Sequence, residues 1–253
     1  MCTEINGTGS VATADTITNG FYQPSKQPNP DHQPLVGDLS FHGPLDKTIH
    51  DLLGNFATIS EQRREKLNHL AGVISTQRAA GQTVKLLFIC THNSRRSHMG
   101  QIWAATAAAF CGVTGVSTYS GGTEVSSFHH RAVAALQRAG FGIKMLSSST
   151  QPLPENPRYQ VSFSNQKPAM TVFSKKYDDP PNPEKGFVAI MACHHANNTC
   201  PAIAGASSRI ALPWVDPKET DNTREADSHY DERVRQIGSE MLYLFTKVST
   251  WQK

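Results

Sequence analysis

The sequence predicts an α/β fold, a doubly wound parallel sheet of about four strands with flanking helices. Short runs that read as strands recur at Val84 to Ile89, Gly115 to Ser120, Phe187 to Ala192 and Ile210 to Trp214. The first and third are apolar almost throughout, too short for a helix and of the kind buried on both faces of a parallel sheet. Segments with helical spacing lie between or beside them, the alternation of strands joined by crossover helices. The 253 residues are ample for a real core.

The predicted organisation is a flexible N-terminal tail at 1–44, a helical extension at 45–82 and a sheet domain at 83–253 with a hairpin insertion at about 151–186. The formal net charge is only +3, with the basic residues scattered, so nothing calls for a nucleic-acid or membrane partner. Five unevenly spaced cysteines do not form a disulfide framework, and no N-terminal apolar segment or long apolar span is present. The expectation is a soluble protein of the reducing cytoplasm. A transit peptide is disfavoured, since no Arg precedes Arg63 while Glu4, Asp15 and Asp31 are acidic.

Met1 to Pro44 is rich in Thr, Asn, Gly, Pro and Gln and reads as loosely draped chain, in which Cys2 has no role. Two helices are predicted next. Ile49, Leu52, Leu53 and Phe56 form a stripe over Leu45 to Phe56, and Leu67, Leu70, Val73 and Ile74 another over Ser60 to Arg78, with Ser60 as N-cap. A packing annex, a dimerisation element and a docking surface all remain open for them.

The strand from Val84 ends at Cys90 and is followed by Thr91, His92, Asn93, Ser94, Arg95, Arg96 and Ser97. A loop between a strand and a helix N-terminus turns backbone N–H groups inward, where they and the helix dipole favour a bound oxyanion and a thiolate. Arg96 supplies a planar fork able to grip two oxygens of a tetrahedral anion, and Ser97 can donate to the sulfur. The bland alternative is a structural Cys at a strand end beside two solvated arginines.

This Cys-x5-Arg-Ser loop resembles that of the low-molecular-weight protein tyrosine phosphatase superfamily, and within it looks most like the thioredoxin-coupled arsenate reductases. His92 and His98 stand where the phosphatases usually carry Gly and Pro, while Asn93 and Met99 match the reductases. By the same resemblance Asn93 holds the loop's shape and orients Ser120, and Thr91 through Ser97 bind the oxyanion. Arg95 replaces a small residue, and Gln101 stands where a Glu often helps hold a cation, so metal binding is left unassigned.

A helix is expected from Ser97 to Phe110, with Cys111 a core thiol at its end. A strand then leads to Gly121 and Gly122, which lack Cβ and so permit close approach to the loop. His130 to Ala139 has Ala132, Val133 and Leu136 on one helical face. His129 and His130 read as helix-start residues. Gln151 to Gly186 is punctuated by prolines around two β-like runs, Tyr159 to Phe163 and Met170 to Phe173, which predicts the hairpin.

Phe187 to Ala192 delivers Cys193-His194-His195-Ala196-Asn197-Asn198-Thr199-Cys200-Pro201. The pair is too wide for a Cys-x-x-Cys motif. It resembles the redox pair of those reductases, where a short helical segment between the thiols loops out. A metal site of Cys193, His194, His195 and Cys200 and two inert thiols are the alternatives. Asp216-Pro217 follows the last strand. In the superfamily an Asp-Pro here is the general acid that protonates the leaving oxygen as sulfur attacks. Lys218 stands where the phosphatases usually have Tyr. Glu219 to Ser228 is polar linker, and Val234, Ile237, Met241, Leu244, Phe245 and Val248 mark a final helix over Tyr230 to Val248.

The resemblance implies an arsenate reductase. Cys90 attacks arsenic, Arg96 holds the oxyanion, Asp216 protonates the departing hydroxyl, and Cys193 and then Cys200 carry the disulfide to a thioredoxin-like dithiol. No bound cofactor is required. The second expectation is a phosphatase using Cys90, Arg96 and Asp216 through a phosphoenzyme, since arsenate and phosphate are near isosteres. A non-enzymatic scaffold is the third, disfavoured by the intact Cys90, Arg96 and Asp216 set.

Overall fold

The computed structural model describes residues 39–146, 155–200 and 202–251. The predicted tail at 1–44 lies outside the described residues as far as residue 38, Cys2 included, as do the prolines at 152 and 154 and Pro201. Its last residues are not loosely draped, since Phe41 is buried in the core and Gly43 and Pro44 begin a helix. The first two elements are α1 (Gly43–Leu53) and α2 (Glu61–Ala79). Ser60 caps α2, its Oγ accepting from the Arg63 N–H at 3.3 Å. Then follow β1 (Val84–Cys90), α3 (Arg96–Phe110), β2 (Val116–Gly122), α4 (His130–Arg138) and β3 (Gly142–Met145). The chain continues through β4 (Tyr159–Ser162), β5 (Met170–Val172), β6 (Phe187–Met191), α5 (His194–Thr199), β7 (Ala206–Ala211) and α6 (Ala226–Thr250).

A four-stranded parallel sheet has the order β2-β1-β6-β7. The central strands β1 and β6 are buried almost throughout, which is why they read as unbroken apolar runs. Helices flank the sheet as expected, and α6 buries Val234, Ile237, Met241, Leu244, Phe245 and Val248. The last strand lies earlier than Ile210 to Trp214 predicts. It ends at Ala211, although Leu212 and Trp214 N–H groups still reach the Met191 and Ala192 carbonyls at 3.1 Å.

The predicted hairpin exists as β4 and β5, but it is part of a separate antiparallel sheet with order β3-β4-β5. The chain beyond it runs beside the end of β2, where Gly122 N–H donates to Lys175 O and Tyr177 N–H to Gly122 O, each at 2.9 Å. The extension packs against α6 and the sheet, burying Leu45, Ile49 and Leu52 of α1 and Leu67, Leu70, Ala71 and Ile74 of α2. Among the described residues no helix is long and apolar enough to cross a membrane.

Because Leu67 is wholly buried in the same core as the sheet, Leu67→Ala should cost about 2–5 kcal/mol. Thermal unfolding should remain a single transition at a lower midpoint. An unchanged midpoint for the bulk of the signal would mean that α2 is not part of that core.

Candidate active site

β1 aligns with both neighbours so that Cys90 lies opposite Gly122 on one side and Ile89 opposite Met191 on the other. Cys90 and Cys193 therefore leave the same edge of adjacent parallel strands. From Cys90 the chain turns through Thr91–Arg95 into α3. The turn needs a left-handed residue, and Asn93 takes φ 45. Its side chain secures that conformation. Nδ2 donates to Ser97 Oγ at 2.8 Å, and Oδ1 accepts from Lys175 N–H at 2.9 Å. With that oxygen already accepting, the Ser97 hydroxyl proton is free for Cys90 Sγ, 3.0 Å away. A Cβ on Gly122 would overlap Thr91 O and Asn93 N, whereas one on Gly121 would strike the Tyr177 backbone. The close approach expected of both glycines is made to the loop by Gly122 alone.

Arg96 is the first residue of α3. Its Nη1 donates to Trp214 O at 3.0 Å and its Nη2 to Asp216 Oδ2 at 2.5 Å, while its Nε is buried without a partner. Asp216 caps the 3₁₀ turn Pro217–Thr220, its Oδ1 accepting from Lys218 N–H at 3.1 Å. The Cys90 thiol, the Arg96 guanidinium and the Asp216 carboxyl thus come from three separate elements. Thr91 Oγ1 lies 3.4 Å from Cys193 Sγ. Ser94 is buried, with its carbonyl accepting from His129 N–H at 3.0 Å. The half-exposed His92 side chain pairs with Glu124 at 3.2 Å.

Two loop expectations need correction. Arg95 sends its side chain away from the cradle, Nε to Tyr230 Oη at 2.6 Å and Nη2 to Asp221 Oδ2 at 3.0 Å. Only its backbone remains for an anion. Ser120 is oriented by His98, Oγ to Nδ1 at 3.0 Å, rather than by Asn93. Burial first, and the Lys175 ammonium second, hold His98 well below its ordinary pKa, so it is neutral.

Cys193 is a buried free thiol whose Sγ accepts from Ala196 N–H at 3.3 Å. Cys200 is disulfide-bonded, so the two are not joined to each other. The segment between them is helical, and His194 and His195 are exposed. No group of three His, Cys, Asp or Glu side chains fit to hold a metal ion occurs among the described residues.

Around Arg95 lies a cluster that the motif did not reveal. Tyr230 Oη donates to Asp221 Oδ1 at 2.7 Å and lies 3.2 Å from His129 Nδ1, while Arg131 Nη2 donates to Asp221 O at 3.3 Å. Burial pushes the Asp221 carboxyl up, but Tyr230, Arg95 and His129 together hold it below its usual range. His129 is brought down to about 4, by burial first and then by Arg95. Lys175 comes down to about 8 through burial.

A family model described as low molecular weight phosphotyrosine protein phosphatase matches residues 85–157. The recognition made from the Cys90 loop is therefore borne out, and the family is one of enzymes. Among solved structures, a low-molecular-weight phosphotyrosine phosphatase from Vibrio cholerae O395 is similar at 15% identity, covering 67% of this chain and 97% of its own, with TM-score 0.43. A low-molecular-weight protein tyrosine phosphatase from Bacillus subtilis shares 14% identity over 67% of this chain and 100% of its own, with TM-score 0.43. The YwlE arginine phosphatase from Geobacillus stearothermophilus shares 14% over 67% and 95%, with TM-score 0.42. No curated protein matches the chain.

The His129 shift has a thermodynamic consequence. Folded His129 stays neutral down to about pH 4, whereas the unfolded residue takes its proton near the ordinary histidine value of 6.5. Between those values the unfolded state binds more protons, so stability falls as pH is lowered from about 6.5 toward 4. His98 acts in the same direction. His129→Gln should reduce the drop in thermal midpoint between about pH 7 and pH 5; an unchanged drop would remove His129 as a source of the acid sensitivity.

Proposed function

We propose that this chain, carrying the low-molecular-weight phosphatase pattern from its first strand onward, hydrolyses phosphoesters through a Cys90 phosphoenzyme. The observation that carries the reading is the buried, unpartnered Arg96 Nε beside a cysteine whose sulfur already faces the Ser97 hydroxyl. Arg64, Arg78 and Arg233 also carry an unpaired buried guanidinium nitrogen, but Arg96 belongs to the Cys90 loop, so its Nε is the one suited to an acceptor brought by the substrate.

In the first step Cys90 thiolate attacks phosphorus. The S–P bond forms as the ester P–O bond breaks, and Asp216 gives its proton to the departing oxygen. Loop N–H groups and Arg96 hold the equatorial oxygens, where transition-state charge is spread. In the second step water attacks phosphorus, Asp216 takes its proton, and the S–P bond breaks to release phosphate and the Cys90 thiolate. Ser97 donates to the sulfur as it leaves.

The second reading is arsenate reduction, and the contact of Thr91 Oγ1 with Cys193 Sγ favours it by setting a free thiol against the same loop. Cys90 displaces hydroxide from arsenate, which leaves as water with the Asp216 proton. Cys193 then attacks the Cys90 sulfur, and the electron pair of the S–As bond passes to arsenic, giving arsenite and a Cys90–Cys193 disulfide. Cys200 would move that disulfide to itself and Cys193, and a thioredoxin-like dithiol would reduce it. This route requires Cys200 as a thiol, so the dithiol must act before the first turnover as well. Under the phosphatase reading Cys193 instead protects Cys90: a peroxide oxidises the Cys90 thiolate to a sulfenic acid, Cys193 displaces its hydroxyl as water, and the reversible disulfide stops further oxidation.

Aryl phosphate hydrolysis, measured beside arsenite formation with thioredoxin, thioredoxin reductase and NADPH, separates the two. Phosphate release that is lost in Cys90→Ser and lowered about 10²-fold or more in kcat by Asp216→Asn supports the phosphatase. Sustained arsenate-dependent NADPH oxidation that disappears in Cys193→Ser, with no phosphate release, would replace it by the reductase. In that event Cys200→Ser should allow one turnover and stop recycling.

A further inference from the structure

We infer that Arg63, on the second helix of the N-terminal extension, is a positioning residue for both the Arg96 fork and the Asp216 carboxyl. Its guanidinium is largely buried. Nε and Nη2 grip Glu240 Oε2 at 2.9 and 2.7 Å. Nη1 donates to Pro213 O at 3.0 Å, Nη2 also reaches Leu212 O at 3.4 Å, and the group lies over the Trp214 ring with its carbon 5.1 Å from the centroid. Glu240 comes from α6 and binds the same tryptophan, Oε2 accepting from the indole N–H at 2.8 Å.

The segment Leu212–Trp214 is thus held by its carbonyls, by its indole N–H and by its ring face. This segment joins the last strand to the catalytic machinery. The Trp214 carbonyl accepts from Arg96 Nη1, and Asp216, two residues further on, meets Arg96 Nη2. One turn of backbone therefore separates what Arg63 fixes from what performs the chemistry. A stabilising ion pair would need only Glu240. Arg63 also spends N–H groups on two carbonyls that have left the regular sheet, and a misplacement near 1 Å at such a point can cost about 10²-fold in rate.

The prediction takes two forms. Without Arg63 the Arg96 fork loses its fixed acceptor at Trp214, so oxyanion affinity falls. Asp216 loses its fixed approach to the leaving oxygen, so the rate becomes more dependent on leaving-group quality. The second form rests on the phosphatase reading, and the first does not.

The test uses the full chain as wild type, Arg63→Ala, Arg63→Lys and Glu240→Gln. Inorganic phosphate binding is measured by calorimetry, and kcat is measured on phenyl phosphate and 2,4-dinitrophenyl phosphate. In Arg63→Ala, phosphate should bind about tenfold more weakly. Its kcat on phenyl phosphate should fall about 10²-fold, with a much smaller fall on the dinitrophenyl ester. Arg63→Lys should recover part of both, and Glu240→Gln should show the same pattern more weakly. If Arg63→Ala does not fold, as judged by circular dichroism, Arg63→Lys and Glu240→Gln decide by the same readings. Wild-type phosphate affinity together with a wild-type ratio of the two kcat values would overturn the inference even if the melting temperature drops, since that result describes a purely structural ion pair. A wild-type protein that binds phosphate but hydrolyses neither ester would sink the phosphatase reading, and the phosphate affinities alone would then decide the role of Arg63.

Discussion

The cradle depends on one residue held in an unfavourable backbone conformation. Asn93 at φ 45 costs of the order of 1–2 kcal/mol relative to the ordinary helical or extended regions. Two side-chain hydrogen bonds, one to Ser97 and one from the Lys175 backbone, offset it, at about 1 kcal/mol each. The same two bonds tie the loop to the hydroxyl facing the nucleophile and to the chain beyond the hairpin. Asparagine suits the position because its side chain both accepts and donates, and because it tolerates left-handed φ better than most residues.

From that point the structure extends in two directions that the compact sheet would not need. The hairpin's continuation lies against the back of the loop, with Ser174 Oγ donating to His92 O at 3.0 Å and Gly122 paired to residues 175 and 177. On the other side α1 and α2 share a core with α6, and the Arg95, Asp221, Tyr230 and His129 cluster joins the loop to the turn that follows Asp216. The extension packs on α6 through its apolar half, and its polar half carries Arg63 to the carbonyls of Leu212 and Pro213.

Much of this was legible in the sequence because it is local. The β1 run, the Cys90 to Ser97 spacing, the Ser60 cap and the stripes of α2 and α6 depend on neighbours within a few residues and appear as expected, whereas the first stripe stops at Leu53, with Phe56 in a separate 3₁₀ turn. What was hidden depends on distant residues. Arg95 sits inside the motif, yet Tyr230 and Asp221, far along the chain, decide where its side chain goes. The strand β3 is four residues long and begins with Gly142, so it has no alternation to read, and only its pairing with β4 reveals it. Leu212 and Trp214 look like strand because they are buried, but their backbone has begun to leave the sheet. Burial and strand membership coincide in most sequences and part here.

The contacts between the hairpin's continuation and the loop use mainly backbone atoms on the 174–177 side: the Lys175 N–H and carbonyl and the Tyr177 N–H. Apart from the Ser174 hydroxyl on His92 O, such a join takes nothing from the side chains. The join itself constrains residues 175 and 177 only by excluding proline, which has no N–H to offer, while their side chains, both buried, answer to their own surroundings. The opposite surface has no such latitude, since Asn93 contributes its amide and Gly122 its missing Cβ. Substitution at this join is therefore constrained far more on the loop's side than on that of residues 175 and 177.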